Sequence, residues 1–369
     1  MQRELITSQA ALADLCQTLH ASDWIALDTE FLRERTYYAR LCLIQIGTPD
    51  LVACIDPLAL ERLDPLHALL AAAGLRKVLH AARQDLEVFH DLDAGAGRHV
   101  IPAPLFDTQI GAAYLGFDEQ IGYANLVTAL TGVTLDKAHT RTDWSVRPLS
   151  TAQLQYAEDD VRYLVPVYEI VRDRLIAAGR LAWVEEDCAR LTDPALYAAD
   201  PAEAWRRLRG GADLPAANQQ ILRALAVFRE QTAQRRNLPR GWVLRDEVLF
   251  ELARTAPQTS HELVAIRGLE DGARKSWGEG ILASIEAGRR AQPITLWERQ
   301  PPPTPEQNNL SKRLMETVRT VAREQQLAPG VLATRRDIER LVRGADPSSV
   351  LRGWRAQVLG SKLDVLLSS

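Results

Sequence analysis

Cysteine is scarce in this chain of 369 residues: the four thiols, Cys16, Cys42, Cys54 and Cys188, share neither metal-ligand nor disulfide spacing. That pattern excludes a disulfide-built scaffold and reads as reduced, buried thiols. Long apolar runs are missing too. The longest, at 66–75, is interrupted by His67 and is far too short to span a bilayer, so no membrane segment is expected. The N-terminal MQRELITSQAALADL has no cationic start leading into an apolar core, so the reading expects no signal peptide and a cytoplasmic protein. Glycine (21) and proline (19) are too few for a collagen-like chain. With 46% hydrophobic and 25% charged residues, disorder over most of the length is excluded. Lysine is rare as well: five of the 44 basic residues, the rest being arginine, whose planar fork pairs well with phosphate.

The net charge of −4 conceals an asymmetry. Residues 1–199 carry 17 basic and 28 acidic side chains, and residues 200–369 carry 27 basic and 20 acidic. An acidic half suits the collection of metal ions and a basic half suits a polyanion. The basic half is therefore expected to add binding affinity separable from any chemistry.

Residues 24–28 (WIALD), 41–47 (LCLIQIG) and 51–55 (LVACI) read as strands punctuated by Thr48-Pro49-Asp50 and Asp56-Pro57. A helix over 60–73, a short strand at 77–80 and a helix from 84 follow, and helical periodicity then takes over at 109–115, 123–131 and 150–178. After Arg180 the chain reads as entirely helical. A Pro/Asp-bearing stretch at 191–201 is a candidate linker, with Trp205 packing it against a helical module, and a proline-rich run at 300–305 separates two helical units. Those units resemble each other: NQQILRALAVFREQTAQRRNLPRGWVL from Asn218 aligns with NNLSKRLMETVRTVAREQQLAPGVLA from Asn308, which marks a duplicated module.

Three pieces could carry chemistry. In WIALDTEF, Asp28 and Glu30 stand two apart, so a strand points both to one face. Adjacent carboxylates repel unless a cation lies between them, and hard divalent cations want carboxylate oxygen; alone, the pair is equally a solvated strand end. In HAARQDLEVF, Asp85 falls in the first turn of a helix, where a carboxylate is common, and His80 precedes it. In QYAEDDVRYL, Tyr156 and Asp160 share a helical face, and spacing alone leaves Asp159 as an alternative. Asp107, just before the helix at 109–115, reads as its cap.

Taken together and in this order, Asp28/Glu30, Asp85 and Tyr156/Asp160 resemble the three exonuclease motifs of the DEDD superfamily, Tyr subclass. The flanking WIALDTEFLRE, KVLHAARQDLEVF and LQYAEDDVRYL resemble the ribonuclease D family, and the duplicated module resembles its HRDC (helicase and ribonuclease D C-terminal) domains. The resemblance selects Asp160 over Asp159. It implies an α/β ribonuclease H-like domain, a mixed sheet flanked by helices, followed by two all-α HRDC-type domains. The expected boundaries are 1–190 for the 3′–5′ exonuclease domain, 191–213 for a connecting segment, 214–296 for the first HRDC domain and 304–369 for an HRDC-like second. The implied activity is 3′–5′ exoribonucleolytic hydrolysis releasing nucleoside 5′-monophosphates. The implied partner is RNA with a free 3′ end, chiefly transfer RNA precursors with short 3′ tails, acted on by a monomer.

Four carboxylates can hold two divalent ions, Mg²⁺ or Mn²⁺, about 4 Å apart. Asp28 is expected to bridge them, Glu30 and Asp160 to complete one ion's site, and Asp85 to act from the other side. Tyr156, with an ordinary pKa near 10, is expected to orient the attacking water rather than take its proton. Thr29, Phe31, Gln45 and His80 are the candidate substrate-side residues. The rival readings are a 3′–5′ DNA exonuclease and a non-catalytic RNA-binding protein on a nuclease scaffold; the intact set of five residues argues against the latter.

Overall fold

The structure, a computed structural model, describes residues 2–92, 98–136, 142–298, 301–349 and 351–367. The chain divides into two compact units, one made of Met1–Leu32, Leu41–Tyr197 and Pro303–Ser369, the other of Arg33–Arg40 and Ala198–Pro302.

The first unit is built on a six-stranded sheet. Its strands are β1 (Gln2–Ile6), β2 (Trp24–Leu32), β3 (Arg40–Gly47), β4 (Leu51–Ile55), β5 (Arg76–Leu79) and β6 (Leu105–Asp107), in the order β1-β4-β3-β2-β5-β6. β3 and β4 are antiparallel, while β1/β4, β2/β5 and β5/β6 are parallel. Parallel neighbours need long crossovers, and helices supply them: α1 (Gln9–Leu19) after β1, α2 (Asp64–Ala71) before β5 and α3 (Arg83–Asp91) after it. Layers on both faces let β3 read as a nearly continuous apolar run, with Leu41, Cys42, Leu43, Ile44 and Ile46 all buried. All four cysteines are buried.

Further helices follow: α4 (Thr108–Ala113), α5 (Tyr123–Thr131), α6 (Thr151–Arg162), α7 (Leu164–Ala177) and α8 (Leu181–Leu191). The single helix expected over 150–178 is two, parted at Tyr163. Pro166 accounts for the break: its ring excludes the carbonyl of Arg162 and it has no N–H to give, so it is tolerated only in a first turn. β1 and α1 were not anticipated. β1 is an edge strand with little apolar content, but Leu12, Leu15, Cys16 and Leu19 of α1 are a helical stripe, and all are buried.

The second unit is all helical: α9 (Ala216–Arg236), α10 (Arg240–Val243), α11 (Asp246–Thr255) and α12 (Asp271–Arg290). Trp205 packs edge-on to Trp297 with ring centroids 4.8 Å apart, and the Trp297 indole N–H donates to the Leu208 carbonyl, which ties the connecting segment into the helical core. Arg33–Arg40, the segment that follows β2, folds into this unit. Tyr37 donates its hydroxyl to buried Glu230 at 2.5 Å, and Asn237 Oδ1 accepts the N–H groups of Tyr37 and Tyr38 at 3.0 and 3.1 Å. Arg240 and Arg207 neutralise Glu230, which holds its carboxyl below the usual range despite burial.

The duplication read from sequence is visible in the backbone. α13 (Pro305–Glu324), α14 (Pro329–Leu332) and α15 (Arg335–Val342) start 89 residues after α9, α10 and α11, respectively. The residue that turns the chain out of the long helix is left-handed in both copies, Asn237 at φ 50° and Gln326 at φ 52°. Among the described residues the last helix is α16 (Ser361–Leu367). Gln300, first residue of the proline-rich separator, lies outside the described residues.

This second copy belongs to the sheet-bearing unit. Trp354 stacks on Trp183 at 4.6 Å and 10°. Arg355 clasps Asp187 with both terminal nitrogens, at 2.8 and 2.6 Å, and the Tyr114 hydroxyl donates to the same carboxylate at 2.5 Å. The Ala328 N–H donates to the carbonyl of Ala113 at 3.3 Å.

Candidate active site

β2 carries the first two carboxylates. It runs four residues beyond the expected strand end, so Asp28, Thr29 and Glu30 all lie within it. Alternation puts Asp28 and Glu30 on one face and Thr29 on the other. The Thr29 hydroxyl donates to Asp85 Oδ1 at 2.5 Å, which ties Asp85 to this strand.

Asp85 is placed by the turn between β5 and α3. Ala81 there is left-handed at φ 56°, a conformation that a side chain disfavours. Asp107 holds the turn: its carboxylate accepts the N–H groups of Ala81 and Ala82 at 3.0 and 2.9 Å, and those of Gln109 and Ile110 in α4 at 2.8 and 3.4 Å. Asp107 thus caps α4, as read from sequence, and also fixes the approach to α3.

α6 supplies the remaining pair. Ser150 and Gln153 form a reciprocal capping box at its start. One helical turn separates Tyr156 from Asp160, and both line the same cleft, of about 540 Å³, together with Asp28, Glu30 and Asp85. The Asp159 carboxylate is instead engaged by Arg162 at 2.7 Å and Gln155 at 2.8 Å. Asp28, Glu30 and Asp160 each offer an oxygen within 4.8 Å of the others. Hard oxygen donors so gathered suit a divalent cation.

Their electrostatics agree with that use. Burial, then the charges of Asp160, Asp85 and Glu30, push Asp28 well above the usual carboxylate range. Burial and the charges of Asp160 and Asp85 raise Glu30 to about 8. Burial and neighbouring Asp159 raise Asp160 to about 7, and burial raises Asp85 to about 6 against the lowering effect of the Thr29 hydrogen bond. Such a cluster holds protons near neutrality unless a cation takes their place.

The substrate-side candidates divide. Phe31 and Thr29 line the cleft, although the Thr29 hydroxyl is given to Asp85. His80 lines it with both ring nitrogens engaged, Nδ1 with Thr108 Oγ1 and Nε2 with the Ile121 carbonyl, each at 3.0 Å; burial lowers its pKa. Gln45 does not join them. It is fully buried in β3, two residues from Gly47, where an added Cβ would press on Val161 of α6, and both polar atoms of its amide lack a hydrogen-bond partner among the described residues. The Tyr156 ring leans on Trp144 with centroids 6.1 Å apart, so it packs as well as facing the cleft. Sequence reasoning missed Tyr123, at the first position of α5, which also lines the cleft.

Comparison with known proteins matches this architecture. A family model described as a 3′–5′ exonuclease matches residues 3–176, and one described as an HRDC domain matches residues 218–285. The chain is 43% identical to Ribonuclease D of Granulibacter bethesdensis, over 96% of this chain and 90% of that protein. It is 42% identical to Ribonuclease D of Acidiphilium cryptum, over 97% and 91%. Among solved structures, Escherichia coli RNase D, described as an exoribonuclease involved in structured RNA processing, superposes with a TM-score of 0.87 at 33% identity, over 100% of this chain and 99% of that one. An exonuclease domain with a mixed sheet, an HRDC domain and a helical C-terminus, found in relatives of this similarity and coverage, make the chain a member of the ribonuclease D family of exoribonucleases.

Proposed function

We propose that the protein removes nucleotides from the 3′ end of RNA by hydrolysis, releasing nucleoside 5′-monophosphates, with two divalent ions held by Asp28, Glu30, Asp85 and Asp160. The observation that carries this reading is the convergence of three carboxylates within 4.8 Å, with Asp85 in the same cleft. The donor set fits Mg²⁺ or Mn²⁺: all oxygen, crowded enough to be raised in pKa, and open to substrate on one side. When bound, such a pair supplies an acidified water and neutralises charge on the phosphate.

The chain's own residues have distinct tasks. Asp28 is central, since the charges of the other three acids all bear on it. Thr29 holds Asp85 in place through its hydroxyl. The Tyr156 hydroxyl orients the attacking water and leaves its proton to another acceptor, because a phenol is a poor base at neutral pH. Phe31, at the cleft wall, offers a face to the terminal base.

The natural substrates are structured RNA precursors, chiefly transfer RNA with 3′ tails. The involvement of the E. coli relative in structured RNA processing supports this. The protein acts as a monomer in the cytoplasm; among the described residues no helix is long and apolar enough to cross a membrane. The test is the purified chain on matched 3′-tailed RNA and DNA oligonucleotides, with Mg²⁺ or Mn²⁺ and with chelator. Metal-dependent shortening of RNA to monophosphates is expected. DNA cleaved in preference to RNA, or RNA bound without cleavage, would overturn the proposal.

A further inference from the structure

Asp160 is a demanding position for a metal ligand. It sits in the last turn of α6, which ends at Arg162. The last four carbonyls of a helix lose their helical partners, and terminal turns fray. Pro166 forbids the helix from simply running on. A carboxylate that must hold still is thus mounted on the least secure turn of its helix.

Tyr123 secures that turn from outside. Its hydroxyl donates to the main-chain carbonyl of Asp160 at 2.5 Å and lies 3.2 Å from that of Asp159. Its own footing is firm. It opens α5, and its ring packs against His80 with centroids 5.5 Å apart. His80 is in turn fixed by Thr108 and by the carbonyl of Ile121, two residues before Tyr123, and that carbonyl also accepts from Gln109 Nε2 at 3.0 Å. Tyr123 is partly buried and lines the cleft, yet its hydroxyl points into backbone.

We infer that Tyr123 is a positioning residue of the metal site: it fixes the backbone at Asp160 so that this carboxylate meets Asp28 and Glu30 around a divalent ion. Its action is on affinity for the ion and, through that, on turnover. The inference rests on the reading of the acidic cluster as a metal site, and the experiment separates the two.

The test is Tyr123→Phe in the full chain, which keeps the ring on His80 and removes only the donated hydrogen bond. Mn²⁺ binding is measured by calorimetry well below the melting temperature, beside single-turnover RNA cleavage across a Mg²⁺ titration. Loss of one such bond should weaken Mn²⁺ binding about three- to tenfold and move the Mg²⁺ dependence of cleavage to higher concentration, with the rate largely restored at saturating Mg²⁺. Tyr123→Leu, which also removes the ring packing, should weaken it further. A wild-type chain that binds no Mn²⁺ overturns the metal reading itself. A wild-type chain that binds Mn²⁺ while Tyr123→Phe binds it equally well, even with a lowered melting temperature, overturns the positioning role alone.

Discussion

The hydroxyl of Thr29 and the carboxylate of Asp85 meet at 2.5 Å, and Thr29 stands between Asp28 and Glu30 in β2. One strand therefore presents two carboxylates directly and orients a third through the residue between them. Thr29→Val keeps the shape and removes the donor. Asp85, raised to about 6 with that bond in place, should titrate higher still in the metal-free chain, and turnover should fall on the order of tenfold as the carboxylate loses its orientation. An NMR titration of the Asp85 carboxyl and steady-state rates check both, and an unchanged pKa would remove the hydroxyl's assigned role.

The same crowding makes stability depend on pH. Asp85, Asp160 and Glu30 titrate at about 6, 7 and 8 when folded, above their ordinary values near 4. Between those limits the folded chain holds protons that the unfolded chain has lost. Their contribution is therefore fully present below about pH 4 and is lost as pH rises through the folded values. With chelator, the melting temperature should fall on the order of a few degrees between pH 5 and pH 8, and millimolar Mg²⁺ should recover more at pH 8 than at pH 5. Equal recovery at both pH values would mean that these acids are not where the ion binds.

For Tyr156 the expected defect lies in the chemical step. Tyr156→Phe retains packing on Trp144 and all four acids, and the loss of one orienting contact should cost on the order of ten- to a thousandfold in rate. Single-turnover cleavage at saturating Mg²⁺ measures it, and a rate within about twofold of wild type would leave Tyr156 as a packing residue only.

Removing the clasp on Asp187 should loosen the second helical copy. The Arg355 and Asp187 side chains are 14% and 13% exposed, so Arg355→Ala sets a largely buried carboxylate against fewer partners. It should cost about 2–3 kcal/mol and make residues 303–369 the first to be cut in limited proteolysis. The exposed Arg336→Ala serves as control, expected within about 0.5 kcal/mol of wild type. Equal proteolysis of the two variants would show that the Asp187 clasp does not hold this segment.

Much of this was legible in the sequence where spacing is local. Asp28 and Glu30 two apart, Tyr156 and Asp160 four apart, and the bounds of α5 follow from strand and helix periods. The duplicated module was legible because both copies keep their turn. Relationships that depend on the fold were not. Tyr123 and Asp160 are 37 positions apart, and a tyrosine opening an amphipathic helix reads as packing. Trp183 and Trp354 come from distant parts of the chain, so nothing local announces that the second copy belongs with the sheet. Gln45 looked available because it interrupts an apolar strand, but layers on both faces of β3 bury it.

The central claim is that four acids bring divalent ions to the RNA 3′ end, and one comparison tests it directly. Wild type and Asp28→Asn are folded, checked by melting, and given a 3′-labelled RNA with Mg²⁺, with Mn²⁺ and with chelator, while Mn²⁺ binding is followed by calorimetry. The account predicts monophosphate release by wild type with either ion and none with chelator. For Asp28→Asn it predicts an intact fold, no detectable turnover and weakened Mn²⁺ binding. Full activity of Asp28→Asn, or undiminished release by wild type in chelator, would contradict it.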